Sequence, residues 1–277
     1  MADDKILYSK EDGIAIITFN RPEKLNAIDN DMQVDFRWLL ARAAADEEVK
    51  AIIVTGNGRA FSAGTDVSAL GRTQEESDAA RQASAERQGR TGTQPETEIP
   101  DSSLPNWPFV RIPKPTIAAI NGVAVGMAAE FIALCDIRIA SENARIGWVF
   151  SMRGLAPDIG AGPYLLPYLV GLSKALELMY SGEIIDAREA ERIGLVTKVV
   201  PPEELMTAAK EMAIKVSQGA PLALKAIKEL TYGSLEWPPS VHRAETSQRF
   251  RSTNTSEDCK EGIRAFREKR PPVWKGR

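Results

Sequence analysis

Residues 114–140 read KPTIAAINGVAVGMAAEFIALCDIRIA and carry the pattern that predicts the fold. The apolar run TIAAI (116–120) is typical of a buried strand, and an Asn-Gly turn follows it. Small residues with helical spacing then predict a helix near 127–134, and DIRIA (136–140) predicts the next strand. Because buried strands alternate with helical periodicity, the stretch indicates an α/β layer architecture.

An earlier unit shows the same order nearer the start of the chain. Short β-rich runs at 5–9 and 14–19 flank an Asp-Gly pair, which predicts a hairpin, and a helix follows over 30–45. The run AIIVTG (51–56) predicts a buried strand that ends in a glycine turn. Residues 71–106, between the two units, are a polar insertion that could be a mobile surface helix or a lid, and a segment without a role is as open as a lid.

The chain beyond Pro163 is predicted to be mostly helical. Helices are expected at 163–170, 173–181, 186–192, 202–218 and 221–232, with one strand at 195–200. Since the mixed pattern gives way to helices near Pro201 and Pro202, we predict a core over residues 1–200 and a helical region over 201–277.

Composition excludes several classes of function. The 277 residues include 35 Lys+Arg and 38 Asp+Glu, and this balance offers no case for a nucleic-acid or membrane partner. One histidine, His242, and two cysteines are too few for a histidine-rich metal site or a structural zinc, so no metal is predicted. A polar N-terminus and the lack of a long apolar run predict a cytoplasmic protein. Catalysis would depend on carboxylates, backbone groups or a bound cofactor, and His242 is expected at a surface or interface.

Two turns of small residues are candidates for binding an oxygen anion. AFSAGTD (60–66) and NGVAVGMAAE (121–130) each follow a predicted strand, and such turns present free backbone N–H groups at the carboxyl edge of a sheet. Each could also be an ordinary turn, and Glu130 could be an acid that complements the helix dipole. Together, two such turns would form an oxyanion hole for a carbonyl that becomes an enolate.

Five separated blocks, in order, resemble the crotonase (enoyl-CoA hydratase/isomerase) superfamily over nearly the whole chain. These blocks are RPEKLNA (21–27), AFSAGTD (60–66), the 114–140 stretch, GLAPDIGAGPYLLPYLVG (154–171) and GLVTKVV (194–200). The resemblance implies a spiral of repeated ββα units with a helical C-terminal region that mediates trimerisation. It also implies a homotrimer or a hexamer built as a dimer of trimers.

The resemblance assigns binding roles to individual residues. The oxyanion hole would be the N–H groups of Thr65 and Met127; Met127 departs from the family's glycine run but still supplies an N–H. Its side chain would reshape the acyl pocket. CoA, as part of the substrate and with no separate cofactor, would contact Lys24, Leu25, Ala27, Ala63, Asp66, Phe266 and Lys269. Trp107, Trp148 and Phe150 suggest a bulky or aromatic acyl pocket, although large apolar residues are more often core.

The carboxylate pattern separates the possible reactions. Glu130 matches the first of two hydratase glutamates, but Phe150 stands where the second is expected. Asp158 matches the acid–base carboxylate of family isomerases and the nucleophilic aspartate of related dehalogenases. Its apolar surroundings would raise its pKa, although it could instead be a helix cap or a turn residue.

The resemblance and this pattern together predict an enzyme that acts on an acyl-CoA thioester through an enolate. Double-bond isomerisation of an enoyl-CoA, with Asp158 as the principal acid–base group and Glu130 as the second carboxylate, is the leading expectation. Hydration by Glu130 with Asp158 is the alternative, followed by an aspartyl-nucleophile hydrolase or dehalogenase. A family member that binds CoA or RNA without turnover is the alternative outside enzymes.

Overall fold

The computed structural model describes residues 4–66, 73–87 and 108–277. Its first part contains, in order, β1 (Ile6–Glu11), β2 (Ile14–Phe19), α1 (Asn30–Ala45), β3 (Ala51–Gly56), β4 (Ala60–Ser62), α2 (Gln74–Arg87) and α3 (Pro108–Arg111). The predicted hairpin, helix and strand are confirmed. Helix α2 covers part of the predicted insertion; the rest of that insertion and Trp107 lie outside the described residues, so its role as a lid stays a prediction.

The central stretch forms two successive strand pairs around one helix. These elements are β5 (Thr116–Ile120), β6 (Val123–Val125), α4 (Met127–Leu134), β7 (Ile137–Ser141) and β8 (Arg145–Gly147). The first strand of each pair joins one sheet, in which β3, β5 and β7 are parallel neighbours, and the second joins another, in which β4, β6 and β8 are parallel neighbours. The chain therefore advances by one strand in each sheet per unit, which is the expected spiral of ββα units.

The remaining elements are mostly helical, as predicted. They are α5 (Ala161–Val170), α6 (Leu172–Ser181), β9 (Ile185–Asp186), α7 (Ala187–Arg192), β10 (Lys198–Val200), α8 (Leu205–Val216), α9 (Pro221–Gly233), α10 (Pro239–Asn254) and α11 (Glu257–Glu268). β10 completes the six-stranded sheet, in the order β1-β2-β3-β5-β7-β10, and β9 completes the sheet β4-β6-β8-β9. In the described part of the chain, no helix is both long and apolar enough to cross a membrane.

Two predicted elements were too long. The strand expected at 195–200 begins only at residue 198, because the N–H groups of Leu195 and Val196 donate to Ala190 O and close a turn after α7. The helix expected at 202–218 is a 3₁₀ turn over 202–204 followed by α8, which ends at Val216.

Both faces of the six-stranded sheet are buried. The larger core packs one face against α1 and α4 and includes a cluster of aromatic rings formed by Phe19, Phe36, Phe61, Phe109 and Phe131. A smaller core lies on the opposite face, where α8 contributes Leu205, Ala208, Ala209 and Ala213. Helix α8 thus packs directly on the sheet although it follows residue 200; the division at that residue stays a prediction.

The single histidine lies in the helical tail. His242 of α10 is half-buried, with Nε2 3.1 Å from the Leu230 carbonyl of α9, and its ring contacts that of Trp237. His242 therefore connects α9 and α10, and both helices are far along the chain from the turns at 60–66 and 121–130.

Candidate active site

The two turns predicted to form an oxyanion hole lie side by side. Gly64 (φ +85°) approaches the end of β6 so closely that a Cβ on it would be 2.6 Å from Val125 O and 3.3 Å from Met127 N. This position therefore needs glycine on both conformational and steric grounds. The contact brings the amide of Thr65, the next residue, beside the start of α4.

Backbone geometry leaves both amides available to a ligand. Thr65 forms a parallel bridge with Ile28, in which Ile28 N–H donates to Gly64 O at 2.8 Å and Asp66 N–H donates to Ile28 O at 2.9 Å. These bonds use the groups on either side of Thr65, so its own N–H points away from Ile28. Met127 begins α4, and its N–H has no acceptor within the helix. Neither amide donates to an acceptor in the described part of the chain.

A buried asparagine joins the segment 21–27 to the turn that carries Thr65. Asn26 accepts a hydrogen bond from Arg21 N–H at 2.8 Å and donates to Asn57 O and Ala60 O at 2.9 and 2.7 Å. The Ser62 hydroxyl donates to Asn26 O at 2.7 Å. Asn26 has φ +56°, a left-handed conformation that asparagine tolerates better than most residues.

A buried ion pair fixes the same region from its other side. Arg21 Nη1 lies 3.2 Å from Asp66 Oδ2 and 3.2 Å from Asp29 Oδ2, and it donates to Ala27 O at 2.8 Å. The Arg21 and Asp66 side chains are both almost fully buried. Asp66, predicted to contact CoA, therefore has its carboxylate on Arg21 and directly follows Thr65.

Glu130 is fully buried one turn into α4. Its Oε1 accepts hydrogen bonds from Trp148 Nε1 and Gly162 N–H, both at 2.8 Å. Its Oε2 is buried and has no hydrogen-bond partner among the described residues. Burial raises the pKa of Glu130 to about 7, the two donors oppose that rise, and the nearby charge of Asp158 adds to it. Glu130 therefore exchanges a proton near neutral pH, and Oε2 is the atom that can carry it.

Asp158 lies in the loop before α5, where its side chain remains exposed to solvent on one side. The Thr65 hydroxyl donates to Asp158 Oδ2 at 3.2 Å. Partial burial raises the pKa of Asp158, and the hydrogen bond from Thr65 opposes that rise. The structure thus brings Asp158, Glu130 and the Thr65 amide into one site.

The aromatic residues predicted for the acyl pocket differ in their placement. Trp148 is fully buried, and its indole N–H contacts Glu130. Phe150 is also buried, at the start of a 3₁₀ turn. Both belong to the larger core, so their acyl-pocket role stays a prediction, as does that of Trp107.

Apart from Asp66, the residues predicted to bind CoA fall into two groups. Lys24, Leu25, Ala27 and Ala63 are together, because Ala63 N–H donates to Leu25 O at 2.9 Å and Ala27 N–H donates to Lys24 O at 3.0 Å. Phe266 and Lys269 are at the end of α11, and no hydrogen bond of the described residues joins α11 to segments 21–27 or 60–66. Phe266 is 86% exposed.

Three residues that organise the site were missed by the sequence interpretation. Arg21 and Asn26 lie within the block RPEKLNA. Both are polar, so a pattern of apolar residues does not indicate that they are buried. Gly162 was visible as part of a small-residue run, but its role depends on contact with Glu130. A Cβ on Gly162 would be 2.4 Å from Glu130 Oε1 and 2.5 Å from Trp148 Nε1, so only glycine fits there.

Comparisons with known proteins find relatives that match nearly the whole chain. A family model described as enoyl-CoA hydratase/isomerase matches residues 9–277. The short-chain-enoyl-CoA hydratase of Clostridium acetobutylicum is 36% identical over 271 residues, which cover 96% of each chain. The 2,3-dehydroadipyl-CoA hydratase of Escherichia coli is 34% identical over 274 residues, covering 99% of each chain.

A solved structure has the same fold over its whole length. The enoyl-CoA hydratase of Bacillus anthracis superposes with a TM-score of 0.84 and 29% identity, covering 99% of this chain and all of the other. The spiral of ββα units and the C-terminal helices are therefore shared with this solved structure.

Proposed function

Because the chain belongs to the enoyl-CoA hydratase/isomerase family of the crotonase superfamily, we propose that this enzyme adds water to the double bond of an enoyl-CoA thioester. One observation carries the proposal: two carboxylates with raised pKa values, Glu130 and Asp158, lie close to each other beside a pair of backbone amides. Water addition needs one group that accepts a proton and one that donates it. The hydratase names of the curated relatives support the same reaction.

The two amides would stabilise the negative charge of the intermediate. In the proposed complex, the thioester oxygen accepts hydrogen bonds from the N–H groups of Thr65 and Met127. When water adds to the β-carbon, charge moves onto that oxygen as an enolate, and the amides bind the enolate more strongly than the ground-state carbonyl. Both donors are held by backbone contacts, so they need no reorganisation during the reaction.

The two carboxylates would divide the proton transfers between them. Asp158, partly exposed and hydrogen-bonded by Thr65, takes a proton from the water whose oxygen bonds to the β-carbon. Glu130, protonated on Oε2, gives a proton to the α-carbon of the enolate. One molecule of water is added, and a proton passing from Asp158 to Glu130 restores the starting state.

Double-bond isomerisation is the second candidate. Phe150 occupies the position at which the family's hydratases carry a second glutamate, and Asp158 stands where its isomerases carry their single carboxylate. In this reaction Asp158 would remove a proton from the α-carbon of a 3-enoyl thioester and return it to the γ-carbon. Glu130 would then serve only to shape the site.

Binding of CoA and assembly into oligomers follow from the same proposal. The nucleotide would lie along Lys24, Leu25, Ala27 and Ala63, with the neighbouring Asp66 fixing that turn. The exposed Phe266 and Lys269 would reach the nucleotide of a neighbouring subunit in a homotrimer or hexamer. We propose a cytoplasmic location for this assembly, with no nucleic-acid or membrane partner.

The test compares two substrates and four proteins. Wild type, Asp158→Asn and Glu130→Gln are assayed with 2-enoyl-CoA for hydration and with 3-enoyl-CoA for isomerisation. Hydration by wild type should fall about 10²–10⁴-fold in each variant, since each substitution removes a proton-transfer group. Glu203→Gln, which changes an exposed glutamate, is the matched control and should keep wild-type activity.

Three outcomes decide between the candidates. Hydration that requires both carboxylates supports the hydratase. Isomerisation that requires Asp158 but survives Glu130→Gln supports the isomerase and contradicts the hydratase. Full activity of Asp158→Asn on both substrates contradicts both mechanisms.

A further inference from the structure

Thr65 contacts the site through two different groups. Its backbone N–H is one of the two oxyanion donors, and its side-chain hydroxyl donates to Asp158 Oδ2 at 3.2 Å. We propose that the Thr65 hydroxyl is a positioning group that holds the Asp158 carboxylate at a fixed position relative to the oxyanion hole. This inference rests on the proposed function, because it concerns the proton transfer assigned to Asp158.

The backbone of Thr65 is a rigid support for such a contact. Ile28, which is fully buried, bonds the residues on both sides of Thr65, at 2.8 Å to Gly64 and 2.9 Å to Asp66. Asp66 is also paired with the buried Arg21. A side chain that starts from such a fixed backbone has few ways to move, so its hydroxyl can define a position for its partner.

Asp158, by contrast, stands in a loop that needs an external contact. The loop lies between Gly154 (φ +68°) and Gly160 (φ +79°), and the Asp158 side chain is exposed. Its carboxylate otherwise faces backbone N–H groups of its own loop. Among the hydrogen bonds of the described residues, the one from Thr65 is the one that ties this side chain to another segment. Removing the hydroxyl would release the carboxylate into other rotamers.

Placing both contacts on one residue has a chemical consequence. The separation between the N–H of Thr65 and its hydroxyl is set by covalent geometry and one rotamer, so the thioester oxygen and the carboxylate are held at a defined spacing. The hydroxyl also favours the ionised carboxylate, which the base in water addition must be. Glu130 of α4 lies near Asp158, and the charge of Asp158 raises the pKa of Glu130.

Substitutions at Thr65 can separate the hydroxyl from the amide. Thr65→Val keeps the shape and the backbone N–H but lacks the hydroxyl, whereas Thr65→Ser keeps both the hydroxyl and the N–H. We expect kcat to fall about tenfold to a hundredfold in the valine variant, the size of a lost hydrogen bond to a charged group. KM should change less than about threefold, and the serine variant should stay within about threefold of wild type.

A pH profile distinguishes positioning from a general structural effect. Loss of the hydroxyl removes a donor that lowers the pKa of Asp158, so the acid limb of kcat should move to higher pH in Thr65→Val and stay in place in Thr65→Ser. Thr65→Ala also lacks the hydroxyl and carries the comparison if the valine variant does not fold. Wild-type kcat and acid limb in the variants without the hydroxyl would overturn the proposal, as would an equal loss in the serine variant.

A measurement without turnover keeps this inference separate from the proposed function. The pKa of Asp158 can be followed by carbon NMR of labelled aspartate carboxyls, with Asp158→Asn assigning the signal. We expect that pKa to be higher in Thr65→Val than in Thr65→Ser. If wild type turns over neither enoyl-CoA, the proposed function fails; if the two variants give the same Asp158 pKa, the positioning role fails.

Discussion

Trp148 and Glu130 form a buried hydrogen bond in which the indole Nε1–H donates to Oε1 at 2.8 Å. Both side chains are fully buried, and Gly162 N–H donates to the same oxygen at the same distance. Two donors on Oε1 leave Oε2 as the oxygen that can exchange a proton. The protonation and orientation of Glu130 therefore depend on a residue in another strand pair and on the first turn of α5.

Replacing Trp148 by phenylalanine should change the pH dependence of activity. The substitution removes a donor that lowers the pKa of Glu130, so that pKa should rise above about 7. If protonated Glu130 is the acid, the basic limb of the kcat profile should move to higher pH, and kcat should fall about tenfold. Trp237→Phe, in the helical tail, is the matched control. An unchanged basic limb in Trp148→Phe would show that the indole N–H does not act on the reacting carboxylate.

Replacing Gly162 by alanine should disrupt the same contact through volume. The new Cβ would lie 2.4 Å from Glu130 Oε1, so either Glu130 or the buried Trp148 must move. We expect a loss of about 1–3 kcal/mol in the free energy of unfolding, as for overpacked cores, together with a large loss of kcat. Gly262→Ala is the comparison, because a Cβ on this helical glycine would lie 3.2 Å from the Trp274 ring. Equal stability and activity of the two alanine variants would contradict the steric argument.

Stability should depend on pH through Glu130. Its pKa is raised in the folded state from 4.5 to about 7, so the folded protein holds a proton that the unfolded chain releases. Below about pH 4.5 the carboxyl is protonated in both states, and the contribution of Glu130 to stability is complete. As pH rises through about 7 this contribution is lost, and the free energy of unfolding falls by roughly 3 kcal/mol. Glu130→Gln should remove this part of the dependence in urea unfolding at pH 5 and pH 8. Glu203→Gln should leave it intact; an identical slope in wild type and Glu130→Gln would refute the assignment.

Replacing Arg21, the buried cation beside the turn that carries Thr65, should lower both stability and activity. Arg21→Met breaks the buried ion pair with Asp66, a change that costs about 3–5 kcal/mol in the free energy of unfolding. Activity should fall as well, since Asp66 directly follows Thr65. Arg192→Met breaks an exposed pair with Glu189 and should have a much smaller effect. Comparable losses of stability in the two variants would contradict the role of the Arg21 pair.

Local chemistry in the sequence was enough to predict most of the elements. The apolar run at 116–120, the Asn-Gly turn and the helix at 127–134 appear in the structure at those places, because burial and turn preferences act between residues close in the chain. The same holds for the helix at 30–45, whose N-cap Asp29 accepts from Met32 N–H. Boundaries failed where a carbonyl from a neighbouring element competed, as at Leu195 and Val196.

The individual candidates for the site were also visible in the sequence, but their relationships were not. The residue types at Thr65, Met127, Glu130 and Asp158 and the order of the quoted blocks determined the family and the list of chemical groups. Only the tertiary structure decided that Thr65 contacts Asp158 through its hydroxyl, that Trp148 holds Glu130, and that Gly162 has no room for a side chain. Those contacts join residues 18 to 93 positions apart in the chain. Their distances, and the burial that raises the pKa of Glu130, exist only once the two sheets and α5 have packed around α4.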